Sequence, residues 1–186
     1  MPSIANKNTS LKTLIGLLIL YLLIKIVFSI ISIELFIQHL PEETKLITRI
    51  TAIFSTVFSS ISSWLPILAL FFIVWYASKL CFENLLIDPI IKAYQTTIVI
   101  LIAAEVLKLG LVWLFLVDEI ILIDLSANNL VQQIEGTHYH LFSRSTDNVA
   151  VGASCLFFYL ELDQQIIPKM VISTIYAIAF LLINLI

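Results

Sequence analysis

The chain has 186 residues, of which 60% are hydrophobic and 12% are charged, and its formal net charge is −3. A soluble domain carries about twice this share of charged residues and could not bury so much apolar surface. The composition therefore excludes a soluble globular protein and indicates that lipid surrounds most of the chain. The small net charge and the scattered basic residues also exclude a nucleic-acid-binding protein. We expect one integral membrane domain over residues 1–186.

The first apolar segment predicts a membrane helix from about Leu11 to Gln38. Asn8, Thr9 and Ser10 precede it, and these residue types favour a helix N-cap. The segment is too long for the hydrophobic region of a signal peptide, and no small-residue cleavage pattern follows it, so we expect it to be retained. Its length exceeds the bilayer core and favours a tilted helix.

Residues 50–80 predict a second membrane helix. Small hydroxyl residues recur in it at every fourth position, and we call them the small-residue seam: Thr51, Ser55, Ser59 and Ser63. Small residues let helices approach closely in lipid, so the seam is a candidate helix-packing surface. Pro66 follows and removes one backbone donor, which predicts a kink that is either a hinge or a static bend.

Residues 93–117 predict a third membrane helix, and this helix carries two charged residues, Glu105 and Lys108. Lys25 is a third charge, inside the first helix. Insertion scales give a cost of about 2.5–3.5 kcal/mol for such a charge near the bilayer centre, so all three must face protein or water. Glu105 and Lys108 are three positions apart and can neutralise each other. Lys25 then needs an acceptor, which is Glu105 itself, a backbone carbonyl or a carboxylate of a partner chain.

A polar loop is predicted over residues 118–148, and its first part is amphipathic enough to lie on the membrane surface. His138 and His140 are two positions apart in this loop, so in an extended segment both side chains would lie on one side and could bind a metal. Two histidines are too few for a zinc site unless Glu135 or Asp147 joins them. We therefore expect a solvated loop, with no metal and no cofactor.

Two apolar segments follow the loop. Residues 149–162 are short for a full crossing, so they predict either a short span or a re-entrant segment. Residues 169–186 predict the last membrane helix. The predicted fold class is all-α: a polytopic transmembrane helical bundle of about five membrane helices, with four plus a re-entrant segment as the alternative.

The basic residues near the helix ends predict the orientation of the chain. With the N-terminus on the cytoplasmic side, the inner segments hold Lys7, Lys12, Lys79, Lys92 and Lys169. The outer segments hold Lys45, Arg49 and Arg144. This bias favours a cytoplasmic N-terminus.

No sequence pattern indicates catalysis. The chain lacks a nucleophile elbow, a phosphate-binding glycine loop and a CxxC pair, and it has four glycines. We expect a non-catalytic integral membrane subunit that contacts lipid and assembles with other membrane proteins in a larger complex, or with itself. The alternative is a small transporter or ion-coupled component that uses Lys25, Glu105 and Lys108.

Overall fold

A computed structural model describes residues 4–40, 42–82, 86–123 and 130–185 of the chain. Within these ranges the chain forms helices and no β-strand, so the predicted all-α fold is confirmed. The α-helices in chain order are α1 Ile4–Gln38, α2 Glu42–Cys81, α3 Ile87–Leu111, α4 Val117–Glu119, α5 Leu130–Glu135, α6 His138–Glu161 and α7 Ile166–Leu185. A π-helical turn at Val112–Leu116 joins α3 to α4, and a 3-10 turn at Ile120–Leu122 follows α4.

Four helical stretches of the described chain are long and apolar enough to cross a membrane. They are Ser10–Gln38, Glu42–Cys81, Ile87–Leu122 and Ile166–Ile183. A multi-pass helical bundle is thereby confirmed. The predicted span 149–162 lies in α6, which has 24 residues but begins with a polar half. Whether α6 crosses the bilayer stays a prediction.

The prediction of a polar loop over residues 118–148 is wrong for most of its length. Helical structure continues from α3 to Leu122, and α6 already begins at His138. Residues 124–129 lie outside the described residues. The early start of α6 has a local cause, because the Thr137 hydroxyl accepts a hydrogen bond from the backbone N–H of His140 at 3.1 Å. This is the bond that an N-cap threonine makes.

The first helix also begins earlier than predicted. The structure starts α1 at Ile4, so Ser10 lies within the helix and does not cap it.

The connection between α2 and α3 is short, because α2 ends at Cys81 and α3 begins at Ile87. Pro66 lies inside α2, whose helix continues past it to Cys81. The predicted kink stays a prediction.

The chain divides into two compact units, and the single membrane domain stays a prediction. Unit 1 consists of Met1–Tyr21, Ser62–Ile102 and Ala150–Ile186, and unit 2 consists of Leu22–Ile61 and Ala103–Val149. Each of α1, α2, α3 and α6 therefore contributes residues to both units.

Aromatic residues form the centre of unit 1, and the hydroxyls of the tyrosines among them make hydrogen bonds. Phe158 of α6 and Tyr176 of α7 are fully buried, and their rings stack with centroids 4.0 Å apart. The Tyr176 hydroxyl lies 3.2 Å from the Thr97 hydroxyl of α3, and the Tyr94 hydroxyl donates to the Ile67 carbonyl of α2. These bonds matter because lipid offers no alternative partner to a buried hydroxyl.

In unit 2, an ion pair joins α1 to α2 across their short connection. Arg49 Nε lies 2.8 Å from Glu34 Oε1, and Arg49 Nη2 donates to Glu34 Oε2 at 2.9 Å. Two parallel bonds between a guanidinium and a carboxylate fix their relative orientation as well as their distance. This pair was not predicted from the sequence.

Candidate intramembrane charge site

Unit 2 brings four ionisable side chains from three helices together. Lys25 is on α1, Glu105 and Lys108 are on α3, and Asp147 is on α6. We call these four residues the charge cluster. The sequence predicted the first three, but it placed Asp147 in a loop.

Lys108 is the centre of the charge cluster. Its Nζ donates to Glu105 Oε1 at 3.0 Å and to Asp147 Oδ1 at 2.9 Å. The side chains of Lys108 and Glu105 are only 10% and 6% exposed, whereas that of Asp147 is 56% exposed. One ammonium thus connects a buried carboxylate to an exposed one.

Lys25 is half-buried and lies close enough to the other three members of the cluster for its charge to interact with theirs. Phe28, less than one turn further along α1, places its ring 5.9 Å from Lys108 Nζ. This distance is within the range of a cation–π contact. Helix α1 therefore supplies both a second cation, Lys25, and an aromatic ring, Phe28, to the cluster.

The charges of the cluster balance within the chain. By formal charge, the cluster contains two basic side chains, Lys25 and Lys108, and two acidic ones, Glu105 and Asp147. Asp147 thus adds a second carboxylate that the sequence analysis did not assign to the cluster, whereas the acceptor of Lys25 stays a prediction. Since these formal charges sum to zero, they give by themselves no argument for a second subunit.

One oxygen of the cluster has no hydrogen-bond partner. Glu105 Oε2 is buried and makes no hydrogen bond in the described structure. A buried carboxylate oxygen without a donor is costly, because it has lost its water and gained nothing in return. A proton or a small cation bound at this oxygen would therefore stabilise the cluster more than one bound at its other atoms.

Tyr139, in the first turn of α6, is a further polar group beside the cluster. Burial raises the pKa of its phenol, a hydrogen bond with Ser143 opposes this shift, and the charges of Lys108 and Glu105 also act on it. The net direction is upward, so the phenol stays protonated at neutral pH. The sequence pattern did not single out Tyr139.

The start of α6 is positioned by Glu119. Its Oε1 accepts the backbone N–H of His138 at 2.9 Å, and its Oε2 accepts that of Tyr139 at 3.1 Å. His138 Nδ1 also lies 2.7 Å from Glu119 Oε1. The carboxylate thus satisfies donors that every helix N-terminus leaves unpaired, at the positive end of the helix dipole.

This arrangement changes the interpretation of His138 and His140 as metal candidates. Both lie on α6, where residues two apart point to different sides of the helix, so the extended spacing expected from the sequence does not occur. Glu119 engages His138, and Asp147 binds Lys108. Among the described residues, no group of three or more histidine, cysteine, aspartate or glutamate side chains is arranged to hold a metal ion.

The small-residue seam does not face the interior of the chain. Thr51, Ser55 and Ser59 are exposed, and Ser63 is half-buried. The buried hydroxyls of this part of α2 are Thr56 and Ser60. Three of the four seam residues therefore lie on an outer surface of α2, and the packing role of the seam stays a prediction.

In comparisons with known proteins, no family model, no curated protein and no solved structure matches this chain.

Proposed function

We propose that this chain is a small ion-coupled membrane component in which the charge cluster binds and releases a proton at Glu105. The observation that carries the proposal is the buried, unpartnered Glu105 Oε2, which is linked through Lys108 to the exposed carboxylate of Asp147. Ionisable residues inside membrane segments are expensive to insert, which makes function the default explanation for them.

The chemistry of the site is a reversible change of one charge. A proton that binds Glu105 Oε2 converts the carboxylate to a neutral acid, while Lys108 keeps its bond to Asp147 Oδ1. The formal charge of the four groups then changes from zero to about +1. In a medium of low dielectric constant such a change is large enough to shift the packing of the helices that carry the charges.

Proton flux into liposomes tests this proposal. Purified protein is reconstituted into vesicles that contain a pH-sensitive dye, and a proton gradient is applied. Glu105→Gln keeps the size of the side chain but cannot ionise, so we expect flux to fall to that of empty vesicles. Glu34→Gln is the matched control, because Glu34 is a carboxylate on α1 outside the cluster, and we expect it to retain flux. Wild-type flux in a folded Glu105→Gln variant would overturn the proposal.

A second candidate function is a non-catalytic subunit that assembles with other membrane proteins or with itself. It is favoured by the exposed seam of Thr51, Ser55 and Ser59, because small residues on an outer helix face suit close packing against another membrane helix. Most of the apolar part of α2 is not buried within the chain, which leaves surface for such a contact.

The mass of the particle in mild detergent tests the second candidate. We expect a defined oligomer or a stoichiometric partner, and Ser55→Leu and Ser59→Leu should disrupt it by separating the helices. Phe58→Leu, at an exposed position of α2 outside the seam, should leave the assembly intact. A monodisperse monomer of the wild type without a partner would contradict this function.

The orientation of the chain is also a proposal. The five-to-three bias of basic residues supports a cytoplasmic N-terminus. A protease-cleavable N-terminal tag should be protected in sealed right-side-out membranes and cleaved in inverted ones. Cleavage in right-side-out membranes would contradict this orientation.

A further inference from the structure

We propose that a pocket in unit 1 binds the headgroup and upper acyl chain of a zwitterionic phospholipid with a primary ammonium group, such as phosphatidylethanolamine. This inference is independent of the charge cluster, which lies in unit 2. The pocket has a volume of about 440 Å³ and is lined by Leu17, Lys92, Gln95, Thr96, Val99 and Glu161. We call it the Lys92 pocket.

Along α3, the side chains that line the Lys92 pocket change from charged to polar to apolar, and the parts of a phospholipid change in the same order. Lys92 is followed after three and four residues by Gln95 and Thr96, and after seven by Val99, so these side chains lie on one face of the helix. Seven residues span about 10 Å of helix. Charge therefore gives way to neutral polar groups and then to an apolar side chain over that length, as phosphate gives way to glycerol ester and hydrocarbon.

Leu17 of α1 adds a second apolar side to the deeper part of the pocket. Gln95 is held in place at its wall, because its Nε2 donates to the backbone carbonyl of Ser10 at 2.7 Å. Ser10 is the first residue of the α1 membrane stretch, and Lys92 lies in the second turn of α3. The polar part of the pocket is thus at the ends of two membrane helices, where lipid headgroups lie.

The two charged side chains of the pocket, Lys92 and Glu161, have opposite sign. Lys92 and Glu161 line the same space, yet neither makes an ion pair within the described ranges of the chain. A zwitterionic headgroup offers a phosphate to Lys92 and an ammonium to Glu161. A primary ammonium also donates hydrogen bonds to a carboxylate, whereas an anionic headgroup without an amine would be repelled by Glu161.

Lipid retention measured by native mass spectrometry tests the proposal. The protein is released from nanodiscs that contain equal amounts of phosphatidylethanolamine and phosphatidylglycerol, and the bound lipids are counted. We expect the wild type to retain phosphatidylethanolamine in preference to phosphatidylglycerol. Lys92→Gln and Glu161→Gln should each lower this retention about fivefold, the effect of losing one partly exposed charged contact.

Two further variants separate the pocket from general surface charge. Glu161→Lys should reverse the preference toward phosphatidylglycerol, because two cations would then face the phosphate. Lys79→Gln removes an exposed lysine outside the pocket and should leave retention unchanged. If the wild type does not prefer phosphatidylethanolamine, or if the Lys92 and Glu161 variants retain it as the wild type does, the proposal is overturned.

Discussion

Lys108 and Asp147 are 39 positions apart in the chain, and Lys108 Nζ lies 2.9 Å from Asp147 Oδ1. This contact joins α3 to α6 and adds a second carboxylate to the charge cluster. It also determines which substitutions in the cluster are costly, because the two carboxylates bound to Lys108 differ greatly in burial.

Lys108→Met should destabilise the protein strongly, because it leaves the Glu105 carboxylate buried without its cation. We expect the free energy of unfolding, measured by denaturant titration in mixed micelles, to fall by about 3 kcal/mol or more. The double variant Glu105→Gln/Lys108→Met should recover part of this loss, since it leaves no buried charge. Asp147→Asn is the comparison for an exposed partner, and we expect it to cost about 1 kcal/mol or less. Equal losses for Lys108→Met and Asp147→Asn would contradict this account.

Thr137→Ala should loosen the first turn of α6. It removes the hydroxyl that accepts the His140 N–H, and a lost N-cap costs about 1 kcal/mol. Hydrogen exchange of the His140 amide should become faster, while amides in the middle of α7 should exchange as before. Unchanged exchange at His140 would show that Thr137 does not cap the helix.

Phe158→Ala should destabilise unit 1 by about 3 kcal/mol, because it opens a cavity beside Tyr176 and removes a stacked ring. Phe157→Ala is the matched control on the same helix, since Phe157 is 43% exposed whereas Phe158 is 0% exposed. Thermal unfolding in detergent should show a much larger loss for Phe158→Ala. A similar loss in both variants would contradict the packing described for α6 and α7.

Tyr139 should ionise only at a pH above its ordinary value of 10.0, because burial disfavours the phenolate. A folded-state pKa above the unfolded one means that Tyr139 stabilises the protein below about pH 10 and that this stability is lost as the pH rises further. The difference between the ultraviolet titrations of the wild type and Tyr139→Phe isolates this group. A difference midpoint at or below pH 10 would contradict the burial of the phenol.

The local features of the charge cluster were predictable from the sequence, but its tertiary partner was not. The three-residue spacing of Glu105 and Lys108 predicted their contact, because such residues are neighbours on any helix. Asp147 was hidden in a polar stretch that resembled a loop. A usable signal was present, since Asp147 precedes the buried Ala150 and Ser154 at helical spacing, which places it on the inner face of α6.

The exposure of the small-residue seam was also not predictable from the sequence. A four-residue repeat shows that Thr51, Ser55 and Ser59 share a face of α2, and this helix is long and apolar enough to cross a membrane. Neither pattern shows which face turns toward the rest of the chain when nearly all positions are apolar or small. In water the polar face would identify the outside, but in lipid this distinction is lost.

The π-helical turn at Val112–Leu116 has a consequence for how α6 is held. Lys108 and Glu119 stand on either side of this turn, eleven residues apart, and they bind Asp147 and His138, which are nine residues apart on α6. Because a π turn holds one residue more than an α turn, it absorbs part of this mismatch in length. Deletion of a single residue there would rotate Glu119 by about 100° relative to Lys108. The wide turn thus acts as a spacer, because it lets both Lys108 and Glu119 reach their partners on α6.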